Sequence, residues 1–422
     1  RLDAGKRRWE ACSMKLKDGK WRSVPLAAIR GVSVGRSSEP QGFRQTRRVA
    51  VRETIITLMI LGWLGLGVPA QFSAGAAPAQ PAAASSTASF TVDLNYQETD
   101  QVQDFRSIVI KPQSSAFRKE PTLAKRDVFR GLLLWGTLPE QATPFIWDKG
   151  RGQLYLDLNR NRDLTDDPKG VFASASREDS QTFTNIHLVV PFAAGDRLLR
   201  LQVELSSYQA RNLRAYVGLC CYWQARVSLD GKEWQFGLME NVPDGKTVIS
   251  PQHVLLRPWA ERQRPLRLNS ATPDGFDYTK NLFFGDRAYE LDCRYEPGGD
   301  SPKYKVTFKE QAPRLGELKV TGTDLHRLIL TANPATTVVL DQPEGTVKLP
   351  VGNYSLEEIW LRKGEVEVLR PKAGKVTVDD QRATSLVAGG PLTNSVEVKS
   401  QGQNLQLNYK LLGADGGAYR MP

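Results

Sequence analysis

One short segment of this chain carries oxygen-bearing side chains at every second position, and two further carboxylates follow it. These residues are Asp157, Asn159, Asn161, Asp163 and Thr165, followed by Asp166 and Asp167. A tight loop with this spacing can aim several oxygen atoms at one point. Calcium is a hard cation that takes about six to eight oxygen ligands from such loops. The sequence therefore predicts a metal site at these residues, with calcium as the cofactor.

The segment resembles the Asp-x-Asn-x-Asp-Gly loops of EF-hand, dockerin and thrombospondin-type calcium sites. The resemblance implies that Asp157, Asn159 and Asn161 are side-chain ligands. It also implies that Asp163 offers its backbone carbonyl and that Thr165 binds directly or through water.

Two positions of the loop depart from that pattern. Arg162 stands where glycine normally permits a sharp turn, and a bulky residue at positive φ is disfavoured. Pro168 stands where a bidentate glutamate normally closes the site, so Asp166 or Asp167 would have to replace that carboxylate. Without the glutamate we expect weak affinity, on the order of 10⁻⁴–10⁻³ M.

The same segment is also typical of a surface turn that binds no metal. Asn and Asp side chains accept hydrogen bonds from their own backbone two residues further on. Residues 153–158 alternate like a strand, so the context is strand and loop rather than helix, loop and helix. The calcium loop and the metal-free turn both stay open at the level of the sequence.

The elements that position this loop are predicted to be strands. Apolar and polar side chains alternate in many short segments, as half-buried strands require. The clearest examples are residues 90–96, 199–205, 289–293 and 304–308. The best candidate for a helix is short and lies at 258–264. We therefore predict a mainly β fold, with a β-rich domain at 90–318 that carries the calcium loop.

Residues 322–422 are predicted to form a second domain with about seven strands, which is typical of a β-sandwich. Residues 346–354 read Thr-Val-Lys-Leu-Pro-Val-Gly-Asn-Tyr. This segment resembles the L-P-x-G-x-Y segment of transthyretin-like and carboxypeptidase-regulatory-like domains. The resemblance implies an Ig/transthyretin-like β-sandwich with Tyr354 in its core, and it carries over no catalytic residue. The whole chain is also similar to secreted bacterial proteins of unknown function.

The first 89 residues are predicted to lie outside these domains. Basic residues at 47, 48 and 52 precede an apolar run at 55–68 and a Val-Pro-Ala cleavage site, so 47–70 reads as a signal peptide. An uncleaved membrane anchor is the alternative. Residues 1–46 are predicted to be a disordered or wrongly translated extension, and 71–89 an Ala, Pro and Ser linker. We expect a secreted, periplasmic or cell-envelope protein that meets the membrane only through its signal segment.

The positive charge of the chain belongs mostly to this leader. Residues 1–70 contain 14 of the 57 Lys and Arg residues and 5 of the 46 Asp and Glu residues, which leaves 43 basic and 41 acidic residues. The remainder is therefore nearly neutral, and nucleic acid is excluded as an expected partner.

Other reactive side chains give weaker signals. Cys293 can form a disulfide with Cys220 or Cys221 in an exported protein, or all three can be buried thiols. The neighbouring carboxylates at 166 and 167 and at 357 and 358 cannot be recognised as catalytic pairs, because that role needs a set separation across a cleft. The tryptophans lie in apolar strand patterns, which favours core packing.

We therefore expect an exported, non-enzymatic binding or structural protein that calcium stabilises. Its partner would be an extracellular or envelope ligand such as a glycan. The alternative is a secreted hydrolase of polysaccharide, or a carbohydrate-binding accessory module. A concave site with two facing carboxylates and exposed aromatic residues would favour that alternative.

Overall fold

The computed structural model describes residues 88–422 and two short N-terminal strands. Within 88–422 the description leaves out residues 104, 114–116, 177, 209–211, 247, 267–271, 299–300, 333–334 and 402–403. The N-terminal strands, β1 (Cys12–Lys15) and β2 (Trp21–Val24), pair antiparallel within the predicted 1–46 extension. The predicted signal peptide at 47–70 and residues 71–87 of the predicted linker lie outside the described residues.

Thr87–Pro422 forms one compact unit that is built mainly from β-strands. Its described strands, in chain order, are β3 (Ser89–Glu98), β4 (Arg106–Pro112), β5 (Val128–Leu134), β6 (Ala142–Asp148), β7 (Gln153–Leu156), β8 (Val171–Ala173), β9 (Ser180–Phe192), β10 (Gly195–Tyr208), β11 (Asn212–Leu219), β12 (Cys221–Leu229), β13 (Lys232–Glu240), β14 (Pro251–Pro258), β15 (Gly275–Asp277), β16 (Asn281–Phe284), β17 (Arg287–Glu296), β18 (Lys303–Gln311), β19 (Leu315–Thr321), β20 (Leu325–Ala332), β21 (Thr336–Asp341), β22 (Gly345–Pro350), β23 (Gly352–Lys363), β24 (Val366–Val378), β25 (Thr384–Val387), β26 (Thr393–Gln401), β27 (Asn404–Leu412) and β28 (Ala418–Tyr419). Short 3₁₀ turns lie at Pro139–Gln141, Pro168–Gly170 and Trp259–Glu261. The predicted mainly β fold is confirmed, and the helix candidate at 258–264 is limited to the last of these turns.

An eight-stranded sheet positions the predicted calcium loop. Its strand order is β8-β7-β6-β5-β4-β11-β10-β9. The alternation predicted at 199–205 is confirmed in β10, where Leu199, Leu201, Val203 and Leu205 are fully buried. Each of these side chains contributes about 2 kcal/mol by leaving water. The core of this sheet holds β7 in place, and the predicted calcium loop follows β7 directly.

A twelve-stranded sheet curls around a second core. Its order is β15-β14-β13-β12-β3-β18-β17-β16-β21-β20-β23-β24. Buried side chains from every one of these strands share this core. Nη1 of Arg327 on β20 donates to the carbonyl of Leu256 on β14 at 2.7 Å. Arg264, which follows β14, lies 3.2 Å from the carboxylate of Glu367 on β24. The two ends of the sheet therefore approach each other, and the sheet is nearly a closed barrel.

The two segments predicted as separate domains share this barrel sheet. β16 pairs in parallel with β21, and β20 to β24 continue the sheet except for β22. A third core packs the opposite face of β20, β21, β23 and β24 with the three-stranded sheet β22-β19-β25. Tyr354 is buried in that third core, at 2% exposure, and its hydroxyl donates to the carbonyl of Pro350.

Five of the six tryptophans whose burial the structure describes pack in these cores. The buried ones are Trp135, Trp147, Trp223, Trp234 and Trp360. Trp259 is half-buried beside the guanidinium groups of Arg226 and Arg262. The three cysteines Cys220, Cys221 and Cys293 are free thiols, so the disulfide alternative does not occur in this structure. Among the described residues, no helix has the length and apolar character needed to cross a membrane.

Candidate functional site

The predicted calcium loop connects β7 to β8. The backbone N–H of Asp157 donates to the carbonyl of Pro144 on β6 at 3.0 Å, so the first residue of the loop still pairs with the sheet. Leu164, near the other end, is 3% exposed and packs against Ile146 and Tyr155. The residues between these two anchors form a turn of fixed geometry.

Arg162 adopts the left-handed conformation that the calcium-loop pattern needs. Its φ is 68°, and that of Arg160 is 61°. Its backbone N–H donates to Oδ2 of Asp157 at 3.0 Å, and its carbonyl accepts from the N–H of Arg118 at 2.8 Å. The missing glycine therefore does not prevent the sharp turn, although a non-glycine residue is strained there by about 1 kcal/mol.

Asn and Asp side chains support the backbone of the turn. Oδ1 of Asn159 accepts from the N–H of Asn161 at 3.0 Å, and Oδ1 of Asn161 accepts from the N–H of Asp163 at 2.6 Å. Oδ1 of Asp163 accepts from the N–H of Thr165 at 2.9 Å. This series is the Asx pattern of the metal-free interpretation. A carbonyl or carboxylate oxygen has two lone pairs, so each of these oxygens can accept a second interaction.

Three carboxylates of the turn, those of Asp157, Asp166 and Asp167, affect one another electrostatically. Asp157 is fully buried, and its Oδ1 has no hydrogen-bond partner. Burial raises the pKa of the Asp157 carboxyl, and the charge of Asp166 adds to the rise. Burial also raises the pKa of Asp167, and the charge of Asp157 adds to it. Hydrogen bonds from three backbone N–H groups oppose the rise at Asp157 but do not cancel it. The site is therefore negative, desolvated and incompletely satisfied.

The structure divides the predicted ligands into two groups. The amide groups of Asn159 and Asn161 donate to the two oxygens of Asp166, at 3.1 and 2.6 Å. Both amides are therefore held on the carboxylate of Asp166. Asp163 instead pairs with Lys119 at 3.5 Å and accepts from the hydroxyl of Thr165. These bonds from Thr165, together with Lys119, lower the pKa of the Asp163 carboxyl.

The donor set of the turn is mixed rather than purely acidic. Within the described part of the chain, no three His, Cys, Asp or Glu side chains form a group that could hold a metal ion. A cation at this turn would need amide and backbone oxygens besides the carboxylates. Calcium accepts such a mixture of carboxylate, amide and backbone oxygens. In that arrangement Asp157 would be the first ligand of the loop.

Comparisons with known proteins give no family for this chain. No protein-family model, no curated protein and no solved structure matches it. The resemblances of the 157–167 loop and of the 346–354 segment therefore depend on their own residues.

A second group of ionisable residues lies elsewhere. From the sequence only two of its members, Glu357 and Glu358, are named, and no site is predicted there. Glu357, Glu358, His253 and Asp277 line one cavity. A signal for it is present in β23. Buried apolar residues occupy even positions up to Leu356 and then shift phase, with the two glutamates at the shift. Such a shift indicates an inserted residue in the strand.

Proposed function

We propose that this chain is an exported, non-enzymatic binding or structural protein in which the 157–167 loop binds calcium. The proposal depends on one observation, the buried and unpartnered Oδ1 of Asp157. Leaving a buried polar oxygen without a partner costs about 1–3 kcal/mol, and more for a charged group. A calcium ion would satisfy this oxygen and offset the repulsion between Asp157, Asp166 and Asp167.

Calcium binding would stabilise the eight-stranded sheet through β7. Asp157 follows β7 directly and is bonded to β6, so a ligand on its carboxylate is linked to the sheet without an intervening flexible segment. The backbone of 117–119 reinforces the turn through the N–H of Arg118. The role proposed for the metal is to hold this edge of the sheet in one conformation.

The alternative of a polysaccharide hydrolase has less support. Its carboxylates would have to face each other across a cleft. The cavity glutamates, Glu357 and Glu358, are neighbours on one strand, and Asp277, which lines the same cavity, is paired with His253 at 3.0 Å. The exposed aromatic residues Tyr409 and Phe105 are not among the residues that line this cavity.

A calcium titration of the full chain tests the proposal. At 10 mM calcium and a dissociation constant of about 1 mM, stabilisation is about 1.4 kcal/mol, which raises the melting temperature by about 2 °C. Asp157→Asn keeps an oxygen for the N–H of Arg162 but removes the charge, so it should abolish the rise. In EDTA this variant should melt at or above the wild-type temperature.

Asp286→Asn is the matched control, since Asp286 is exposed and distant from the loop in the chain. It should respond to calcium as the wild type does. Equal responses of wild type and Asp157→Asn would favour the metal-free turn. Magnesium at the same concentration should have little effect, because it requires a tighter octahedral set of ligands.

A further inference from the structure

A cavity of about 180 Å³ opens between β14 and β15 on one side and β20, β21, β23 and β24 on the other. Its lining combines an apolar floor with charged walls. The apolar part is made by Met239, Phe276, Ile329 and Pro371. The charged part is made by His253, Asp277, Glu357, Glu358 and Lys372. All of the apolar residues except Pro371 are buried: Phe276 and Ile329 belong to the core of the barrel, and Met239 packs in a small separate cluster with Tyr222 and Leu255.

A β-bulge places two consecutive glutamates on the same wall. In the pairing of β20 with β23, Leu330 is opposite Leu356 but Ile329 is opposite Glu358, so Glu357 is an inserted residue. Leu356 and Ile359 both pack into the core on the opposite face of the sheet. The two residues between them therefore both face the interior of the barrel, which an unbroken strand does not allow.

Each glutamate is fixed by one hydrogen bond from a neighbouring side chain. The hydroxyl of Thr331 donates to Oε1 of Glu357 at 2.9 Å. Nε1 of Trp360 donates to Oε2 of Glu358 at 2.6 Å. Trp360 is fully buried. Both carboxylates are therefore held at the cavity, and each retains acceptor capacity for a ligand.

The remaining charges do not neutralise this wall. Asp277 is paired with Nδ1 of His253 at 3.0 Å. Lys372 is exposed at the rim. Burial raises the pKa of Glu358 to about 7, Asp277 and Glu357 add to the rise, and Trp360 and Arg420 oppose it. A cation in the cavity would relieve this electrostatic cost.

We propose that the cavity binds a small organic cation, a primary ammonium group attached to a short apolar body. The ammonium group would donate to Glu357 and Glu358, and the body would lie on Phe276 and Ile329. The apolar floor distinguishes this ligand from a hydrated metal ion, which would gain nothing from it. The volume fits as well: an apolar cavity of about 150 Å³ holds benzene in another protein, whereas drug-sized ligands need about 300 Å³ or more.

Binding of three matched probes to the full chain tests this proposal. Benzylammonium, benzyl alcohol and benzoate share one ring and differ in charge. Titration calorimetry at pH 8 should show benzylammonium binding at least about tenfold more tightly than benzyl alcohol, with no binding of benzoate. Affinity for benzylammonium should rise from pH 6 to pH 8, because Glu358 must lose its proton to pair with the ammonium group.

Substitutions of the lining residues test whether benzylammonium binds in this cavity, because they should change its affinity in opposite directions. Glu358→Gln and Glu357→Gln should each weaken benzylammonium binding about tenfold, whereas Lys372→Ala should strengthen it because it removes a positive charge from the rim. Glu344→Gln, at an exposed position between β21 and β22, is the matched control and should change nothing. Should Glu358→Gln not fold, Glu357→Gln and Lys372→Ala carry the same test.

Equal binding of benzyl alcohol and benzylammonium would overturn the proposal, as would unchanged affinity in both glutamine variants. Magnesium or calcium at 1 mM should not displace benzylammonium. Displacement that is equal in the wild type and in Asp157→Asn, which lacks the proposed calcium loop, would also overturn the proposal, since the cavity would then be a metal site.

Discussion

Arg197 on β10 lies 3.6 Å from the carboxylate of Glu240 at the end of β13, and both side chains are almost fully buried. The guanidinium carbon of Arg197 is 3.2 Å from the centroid of the Tyr295 ring. The hydroxyl of Tyr304 donates to Oε1 of Glu240 at 2.6 Å, and Nε1 of Trp223 donates to its Oε2 at 3.2 Å. This cluster joins the eight-stranded sheet to the barrel sheet.

Removing the charge of Glu240 should strongly destabilise this joint. Glu240→Gln leaves Arg197 buried without a counter-ion, which costs about 3 kcal/mol in comparable cases. Urea unfolding of the full chain measures the loss. The double variant Arg197→Met, Glu240→Gln should regain most of it, because no unpaired charge remains. A loss below about 0.5 kcal/mol in the single variant would show that the pair is not needed.

His326 should make the protein sensitive to acid. It is 6% exposed, its Nε2 has no hydrogen-bond partner, and burial together with Arg362, Arg327 and Arg264 lowers its pKa to about 3. The unfolded chain takes up this proton near pH 6.5, whereas the folded chain does not. The contribution of His326 to the free energy of unfolding is therefore fully present above pH 6.5. It falls by about 1.4 kcal/mol per pH unit as the pH drops from 6.5 towards 3.

The variant His326→Leu isolates that contribution. Between pH 7 and pH 5 the wild type should lose about 2 kcal/mol more stability than the variant, as measured by urea unfolding at each pH. His187→Gln is the control, since His187 is exposed and pairs with Glu98 at 3.1 Å. Parallel pH profiles for wild type and His326→Leu would contradict the prediction.

Local alternation was enough to predict the strands. The period-two segments at 90–96, 289–293 and 304–308 are β3, β17 and β18, because one face of each strand is buried. β26 and β27 pair antiparallel up to Gln401 and Asn404. Pairing over long distances was not predictable. Nothing local indicates that β3 lies between β12 and β18.

The two candidate sites differ in how far apart their residues lie in the sequence, and therefore in how well the sequence predicts them. The 157–167 loop was recognisable because its residues are neighbours in the sequence. The cavity combines β14, β15, β20, β21, β23 and β24, and its lining residues His253 and Lys372 are more than 100 residues apart in the chain, so only the phase shift beside Glu357 indicates it. The buried Oδ1 of Asp157 without a hydrogen-bond partner is a result of folding, so the spacing of the sequence could not predict it.

Glycine at position 162 should stabilise the 157–167 turn. Arg162 has φ 68° and an exposed side chain, so Arg162→Gly removes strain and loses few contacts. We expect the free energy of unfolding, measured with urea, to rise by about 0.5–1 kcal/mol, the typical value at left-handed positions.

Arg160→Gly is the matched control, since Arg160 has a similar φ of 61°. Arg160 also donates to the carbonyl of Val189 at 3.0 Å, so its gain should be smaller. A larger gain at 160 than at 162 would contradict this account.

Glu358 should give the opposite pH dependence to His326. Burial raises its pKa from the ordinary 4.5 to about 7, so the folded chain holds a proton that the unfolded chain has lost between those values. A raised carboxyl pKa contributes stability that is present below pH 4.5 and is lost as the pH rises through 7. Glu358→Gln should therefore match the wild type near pH 4.5 and exceed it by about 2 kcal/mol at pH 8, after allowance for partial exposure. Urea unfolding at the two pH values measures the difference, with Glu344→Gln as the control.

A stability gain that is the same at both pH values would contradict the prediction. It would mean that the carboxyl of Glu358 has the same pKa in the folded and unfolded chain, and that its carboxylate is already satisfied inside the barrel.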